Sequence, residues 1–144
     1  MITARFFQLF TGIFATAASC HPQPSEPRYQ RVVLVHGILE DGKAFESLKT
    51  RLETHGIECF VPRLKPNTGS SGLDTLAENL KCDIDEKFGM EDPIAIVAFS
   101  MGGLVSRYYL QKLDGARRCE TFITISSPHH GTKAARFFPG RGAL

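Results

Sequence analysis

The sequence has no marked excess of charge of one sign. Its 17 lysine and arginine residues stand against 15 aspartate and glutamate residues, which leaves a formal net charge of +2. A nucleic-acid-binding domain presents a strong basic field to the phosphate backbone, and this balance supplies none. We therefore expect no nucleic-acid partner. The length of 144 residues suggests one domain at most.

The sequence also lacks internal repeats and cysteine pairs with the C-x-x-C spacing of a zinc site. We therefore expect no metal site. Its four cysteines permit disulfides in an exported chain, but the spacing does not assign their pairing. They are Cys20, Cys59, Cys82 and Cys119.

The first apolar run is too short to span a bilayer comfortably. Residues 6–18 are mostly apolar and uncharged, and they follow a short basic start. This order predicts a secretory signal peptide over residues 1–19, and hence a secreted, periplasmic or envelope-associated protein. A buried amphipathic helix is the alternative. Cys20 follows small residues, as the lipidated cysteine of a bacterial lipoprotein does, although Ala17 stands where that signal usually has leucine.

Beyond a proline-rich linker over residues 20–30, strand and helix patterns alternate. Short apolar runs predict four strands, at residues 31–35, 57–61, 93–99 and 121–125. Apolar residues at helical spacing predict three helices: one over residues 41–55, one carrying Leu73, Leu76, Leu80 and Ile84, and one over residues 101–113. Such alternation predicts an α/β domain over residues 31–144, with a mainly parallel sheet of about four strands and helices on both faces.

The densest chemical signal is the segment A-F-S-M-G-G at the end of the third predicted strand. The apolar run stops at Ser100 and helical spacing begins at once, so the chain must turn sharply there. Small residues at Ala98 and Gly102 make room for such a turn, which lifts the serine hydroxyl above the sheet at the positive end of the helix. This pattern predicts a nucleophile elbow with Ser100 as the nucleophile. A helix-capping serine is the structural alternative.

A second signal, H-G-I, stands at the end of the first predicted strand. Gly37 lets the backbone bend so that an amide N–H points toward the reacting carbonyl. The amides of Ile38 and Met101 would then form an oxyanion hole. His36 is expected to pack and hydrogen-bond beneath this loop.

A third signal, P-H-H-G-T, follows the fourth predicted strand. The three motifs, in this order and at roughly these spacings over residues 31–132, resemble the bacterial lipase and esterase families of the α/β-hydrolase superfamily. The resemblance implies hydrolysis of carboxylic esters, often acylglycerols, through an acyl-serine intermediate and without a cofactor. It also implies that His129 and His130 line the site, beside Gly37 and His36, and are not the triad histidine.

The triad acid and histidine are not recognisable after Ser100. In this fold they follow the serine along the chain. The only later carboxylates are Asp114, about 21 Å away along the helix, and Glu120, at the far end of the fourth strand. The sequence is therefore expected to be the N-terminal half of a truncated hydrolase. A substitute base, His129 or His130 oriented by Asp41, is the alternative.

Three functions follow from these motifs. The first is an ester hydrolase that is active when completed by the missing residues. The second is a non-catalytic remnant or binding scaffold. The third, acyl transfer or thioester cleavage, would use the same serine. An ester or lipid is the expected ligand. Membrane contact through Cys20 is a further expectation. Phe137 and Phe138 could touch lipid, but an ordinary core role suits such a pair better.

Overall fold

The computed structural model describes residues 30–66, 68 and 71–133. The expected signal peptide, Cys20, nearly all of the expected linker and the Phe137–Phe138 pair lie outside these residues. Within them, no helix has the length and apolar character needed to cross a membrane. The same residues contain no group of three or more His, Cys, Asp or Glu side chains that could hold a metal ion.

Four parallel strands form one sheet in the order β2-β1-β3-β4. Their bounds are β1 Arg31–Val35, β2 Glu58–Phe60, β3 Ile94–Phe99 and β4 Cys119–Ile125. The helices are α1 Glu46–Glu53, α2 Leu73–Phe88 and α3 Met101–Lys112. Short 3-10 turns precede α1 at Lys43–Phe45 and β4 at Gly115–Arg117. Each strand–helix–strand unit returns parallel, because the helix carries the chain back to the start of the sheet.

The alternation of side chains along the strands divides the core into two layers. One layer holds Val33, Val35 and Ile96 against α2 and α3. The other holds Val32 and Leu34 against the apolar side of α1. Successive residues of a strand point to opposite faces, so a strand that is apolar at every position needs cover on both sides. The expected parallel sheet with helices on both faces is confirmed.

Several element boundaries differ from the expected ones for local reasons. The second strand is shorter than residues 57–61, because the amide of Ile57 donates to Leu52 O at the end of α1. The fourth strand starts at Cys119, earlier than expected, because a register shift between Ile94 and Ala95 lets Cys119 pair with Ile94. Such an irregularity leaves one extra residue, here Glu120, between the two pairings on β4.

Candidate active site

Ser100 has the backbone of a strained turn between β3 and α3. Its φ of 53° and ψ of −122° lie in a region that non-glycine residues rarely adopt. The amide of Ser100 donates to Ile125 O at 2.9 Å, and its carbonyl accepts from Gly103 N at 3.1 Å. Strand β4 and the first turn of α3 therefore hold the strained residue in place. Ser100 itself is partly exposed to solvent.

Two glycines allow the chain to pass close to Ser100. A Cβ on Gly37 would lie 3.1 Å from the Cβ of Ser100. A Cβ on Gly102 would lie 2.4 Å from Val35 O and 2.5 Å from His36 O, which no real side chain tolerates. The first turn of α3 thus rests directly on the end of β1, and the loop after β1 touches the serine.

The two expected oxyanion donors stand on either side of Ser100. Ile38 follows Gly37 and packs against the core beneath α2 and α3. Met101 is the first residue of α3 and is buried. In the part of the chain that the structure describes, neither backbone N–H donates to another backbone group. The N–H of Met101 stands at a helix start, where the helix dipole is positive, and such a group suits a developing negative oxygen.

His36 lies beneath this loop with both ring nitrogens engaged. The ring is 1% exposed. Its Nε2 accepts a hydrogen bond from Leu64 N at 3.3 Å, so Nδ1 carries the proton and donates to Gly37 O at 2.9 Å. The imidazole therefore joins the loop after β1 to the segment after β2, and it orients the backbone that carries the Ile38 amide.

His129 is tied to α3 and β4. Arg107 Nη1 donates to His129 O at 3.0 Å and to His129 Nδ1 at 3.3 Å. Because Nδ1 accepts, Nε2 carries the proton and donates to Thr124 Oγ1 at 3.2 Å. His130 is exposed. The segment after β4 is thereby held against α3, the helix that follows Ser100.

The same segment meets α3 a second time near its start. A Cβ on Gly103 would lie 2.0 Å from Ser127 Oγ and 2.6 Å from Ser127 Cβ. Sequence reasoning missed Arg107, Thr124 and Ser127 as parts of the site. The spacing of seven residues between Ser100 and Arg107 places both on one side of α3, and this was the available signal.

The carboxylates considered from sequence have other partners or positions. Asp41 pairs with Lys43 at 2.9 Å, and the hydrogen bond from Lys43 lowers the pKa of this carboxyl group. Asp114 lies just past the far end of α3 and pairs with Arg117 at 3.9 Å. Glu120 is exposed near the start of β4. Of these, Asp41 was the expected partner of a substitute base, and it bonds instead to the side chain and the amide of Lys43.

The family model of palmitoyl protein thioesterases matches residues 31–141. The chain belongs to the palmitoyl protein thioesterase family. Its sequence is similar to the lysosomal thioesterase PPT2 of Bos taurus, with 27% identity over 124 residues, and to PPT2 of Rattus norvegicus, with 30% identity over 117 residues. Each alignment covers 76% of this chain and 37% of the relative. The chain thus spans just over a third of the length of these relatives.

Solved structures of hydrolases share this fold. The mature lipase BlEst2 of Bacillus licheniformis superposes with a TM-score of 0.65 at 24% identity, over 81% of this chain and 47% of that chain. The type II thioesterase BorB from the borrelidin biosynthetic cluster superposes with a TM-score of 0.51 at 15% identity, over 74% and 45% of the two chains. The superfamily expected from the three motifs is confirmed. Within it, the family is one of thioesterases.

Proposed function

We propose that the protein is a serine hydrolase that cleaves acyl thioesters and carboxylic esters through an acyl-Ser100 intermediate. The observation that carries this proposal is the backbone of Ser100. A non-glycine residue at φ 53° between a strand and a helix stores strain, and such strain collects at functional sites. A serine that only capped the helix would need no left-handed turn, and its side chain makes no capping hydrogen bond.

The chemistry follows from what surrounds the hydroxyl group. The Oγ of Ser100 attacks the acyl carbon, and its proton passes through a base to the leaving thiol or alcohol. The amides of Ile38 and Met101 stabilise the negative oxygen of the tetrahedral intermediate, a contribution of about 3 kcal/mol for each donor. Water then attacks the acyl-serine, which releases the fatty acid and restores the hydroxyl group. These steps use no cofactor.

Neither His36 nor His129 is proposed as the base. The rings of His36 and His129 already hold two polar contacts each. In this fold the acid and histidine of the triad follow the nucleophile along the chain, and the matched relatives are longer than this sequence. Among the described histidines at the site, exposed His130 is the alternative base.

Thioesters rank first among the substrates because of the family. Its name specifies palmitoyl protein thioesterases, and both curated relatives are named lysosomal thioesterases. Carboxylic esters rank second, since the structural neighbours include a lipase. Comparing the rates of hydrolysis of a palmitoyl thioester and of a p-nitrophenyl ester of matched chain length would show which substrate class the protein prefers.

The rival is a non-catalytic remnant or a binding scaffold. The test is labelling of the purified chain with a fluorophosphonate probe, followed by peptide mapping. We expect the label on Ser100 in the wild type, none in Ser100→Ala, and normal labelling in Ser47→Ala, which removes an exposed hydroxyl group from α1. His130→Ala in the same assay tests the alternative base. Loss of labelling would indicate that His130 is the base, and normal labelling would indicate that the base lies elsewhere. Equal, background labelling in all of these proteins would favour the scaffold.

We also propose that the protein is exported. A signal peptide over residues 1–19 would carry the enzyme to its ester or lipid substrate outside the cytosol, with Cys20 available for a lipid anchor. Both matched relatives are named lysosomal, and one structural neighbour is an extracellular α/β-hydrolase of a Paenibacillus species. Mass spectrometry of the mature N-terminus would distinguish a cleaved, a lipidated and an uncleaved chain.

A further inference from the structure

Leu39 is a solvent-exposed apolar residue with an unusual backbone conformation. It is 66% exposed to solvent and has a φ of 58°. Leucine rarely adopts the left-handed region, because its Cβ crowds the following carbonyl oxygen. A glycine or an asparagine would relieve that crowding, and a polar residue would suit the solvent better. Neither packing nor backbone preference therefore explains a leucine at this position.

The position of Leu39 is next to the reacting centre. It directly follows Ile38, whose amide we assign to the oxyanion hole. It stands two residues after Gly37, whose Cβ position lies 3.1 Å from Ser100 Cβ. Because consecutive Cα atoms are about 3.8 Å apart, Leu39 Cα lies at most about 7.6 Å from Gly37 Cα. A substrate carbonyl that reaches the Ile38 amide must therefore lie beside residue 39.

A second exposed apolar side chain stands on the opposite side of Ser100. Ile125 is 43% exposed, and its carbonyl oxygen accepts the Ser100 amide. Since β1 and β4 flank β3, the exposed Leu39 and Ile125 border the nucleophile from both neighbouring strands. Exposed apolar surface is thus available next to the Ser100 strand on both neighbouring sides, which suits a hydrocarbon chain.

We propose that Leu39 is a specificity-determining residue that contacts the apolar acyl chain of the substrate. This inference rests on the proposed function and deepens it. A long acyl chain would remove the exposed surface of Leu39 from water, and a short one would leave it hydrated. Burial of apolar surface is favourable in proportion to its area. Leu39 therefore raises the preference for long chains over short ones.

The first test compares labelling rates with a decyl and an ethyl fluorophosphonate. We expect Leu39→Gly to lower the ratio of the decyl rate to the ethyl rate about tenfold, which matches the loss of most of one buried leucine side chain. Leu39→Asn, which also accepts left-handed backbone, should behave like Leu39→Gly. The matched control is Met90→Gly, which removes a 69% exposed apolar side chain from the turn before β3 and should keep the wild-type ratio.

Thermal unfolding separates this role from a structural one. Leu39→Gly relieves a left-handed residue and removes little buried surface, so its melting temperature should equal or exceed that of the wild type. A lower melting temperature together with an unchanged decyl-to-ethyl ratio would assign Leu39 to the fold and overturn the proposal.

The second test measures the contact between Leu39 and the acyl chain separately from catalysis. In a Ser100→Ala background, calorimetric titration with a decanoyl thioester and a butyryl thioester measures binding without reaction. We expect Leu39→Gly to weaken decanoyl binding about tenfold and to reduce the preference over butyryl. If Leu39 governs this preference while no probe labels Ser100, the proposed hydrolysis fails and the acyl contact stands. If decanoyl binding does not depend on Leu39, the acyl contact fails even if Ser100 is labelled.

Discussion

Single residues with left-handed backbone gather at one edge of the sheet. Leu39, Ser100 and Ser126 have φ values of 58°, 53° and 51°, and each stands at or just beyond the carboxyl end of a strand. Of the described non-glycine residues with positive φ, only Asp114 lies elsewhere, at the far end of α3. Local strain persists where the surrounding structure over-determines it, and such places are often functional. The strained residues therefore mark the same edge as the three sequence motifs.

The strain at Ser100 has a measurable consequence. Ser100→Gly removes the hydroxyl group and also suits positive φ, whereas Ser100→Ala removes only the hydroxyl group. We expect the free energy of unfolding of Ser100→Gly to exceed that of Ser100→Ala by about 1 kcal/mol. Urea denaturation of the two variants measures the difference. Equal stabilities would mean that the backbone relaxes in the alanine variant and that the turn is not strained.

The contact at Gly102 leads to a second expectation. A methyl group there would meet Val35 O and His36 O, which are backbone atoms that cannot move aside easily. We expect Gly102→Ala to lose about 1–3 kcal/mol of stability and to lose fluorophosphonate labelling at Ser100. Gly56→Ala serves as the control, since Gly56 has positive φ but no atom within 4 Å of its Cβ position. It should lose some stability and keep the labelling.

At the scale of elements, α3 links Ser100 to the segment after β4. Its first residue follows Ser100, and Arg107, two turns later, holds His129 through two contacts. The positions of a helix are rigidly related, so the helix fixes the segment relative to the serine. Hydrogen bonds to a charged group contribute more than neutral ones, about 1.5–3 kcal/mol each.

Removal of the guanidinium group should release this segment. In Arg107→Leu, we expect amide hydrogen exchange over residues 127–133 to accelerate while exchange in β1 and β3 stays slow. Arg107→Lys should show an intermediate effect, because an ammonium group can keep one of the two contacts. Arg51→Leu, which removes an exposed arginine from α1, is the control and should leave the segment protected. Unchanged exchange over residues 127–133 in Arg107→Leu would show that contacts other than those of Arg107 hold the segment in place.

A buried ion pair joins α2 to the start of β4. Arg118, with a side chain only 6% exposed, contacts Asp85 Oδ1 at 2.9 Å and donates from Nε to Asp92 O at 2.8 Å. Arg118→Met would remove the guanidinium bonds to Asp85 and to Asp92 O, although Lys81 would stay paired with Asp85. We expect this variant to lose about 1.5–3 kcal/mol of stability. Arg117→Met, at the neighbouring exposed position, should change stability by less than about 0.5 kcal/mol. Chemical denaturation of both variants tests the contrast, which equal losses would contradict.

For the whole molecule, the buried thiols affect stability at alkaline pH. Burial raises the pKa of Cys59 and of Cys119 above the ordinary value of 9.0. The folded state therefore holds these protons more tightly than the unfolded state. The resulting stabilisation is complete below pH 9.0 and is lost as the pH rises beyond it.

The corresponding experiment follows the melting temperature from pH 7 to pH 10.5. We expect the wild type to lose stability above about pH 9 more steeply than the double variant Cys59→Ala, Cys119→Ala. Tyr109, whose pKa burial also raises, is present in both proteins and cancels in the comparison. Cys82→Ala, at an exposed position of α2, should follow the wild-type profile. Parallel profiles for wild type and double variant would contradict the assignment.

The order of elements could be predicted because its causes are local. Continuous apolar runs predicted all four strands, and the first matches Arg31–Val35 residue for residue. Helical spacing of Leu73, Leu76, Leu80 and Ile84 predicted α2, which spans Leu73–Phe88. The starts of β2 and β4 escaped prediction, since the first depends on a bond between Ile57 and Leu52 and the second on a register shift.

The sequence alone determined the superfamily, the position of the turn at Ser100 and the order of strands and helices. These properties depend on hydrophobic spacing and on small residues near one another in the chain. Only the tertiary structure decided that both ring nitrogens of His129 are occupied, that Arg107 and Ser127 belong to the site, and that Leu39 stays exposed beside it. Those facts depend on side chains distant in sequence that meet after the sheet has assembled, and no local pattern encodes such meetings.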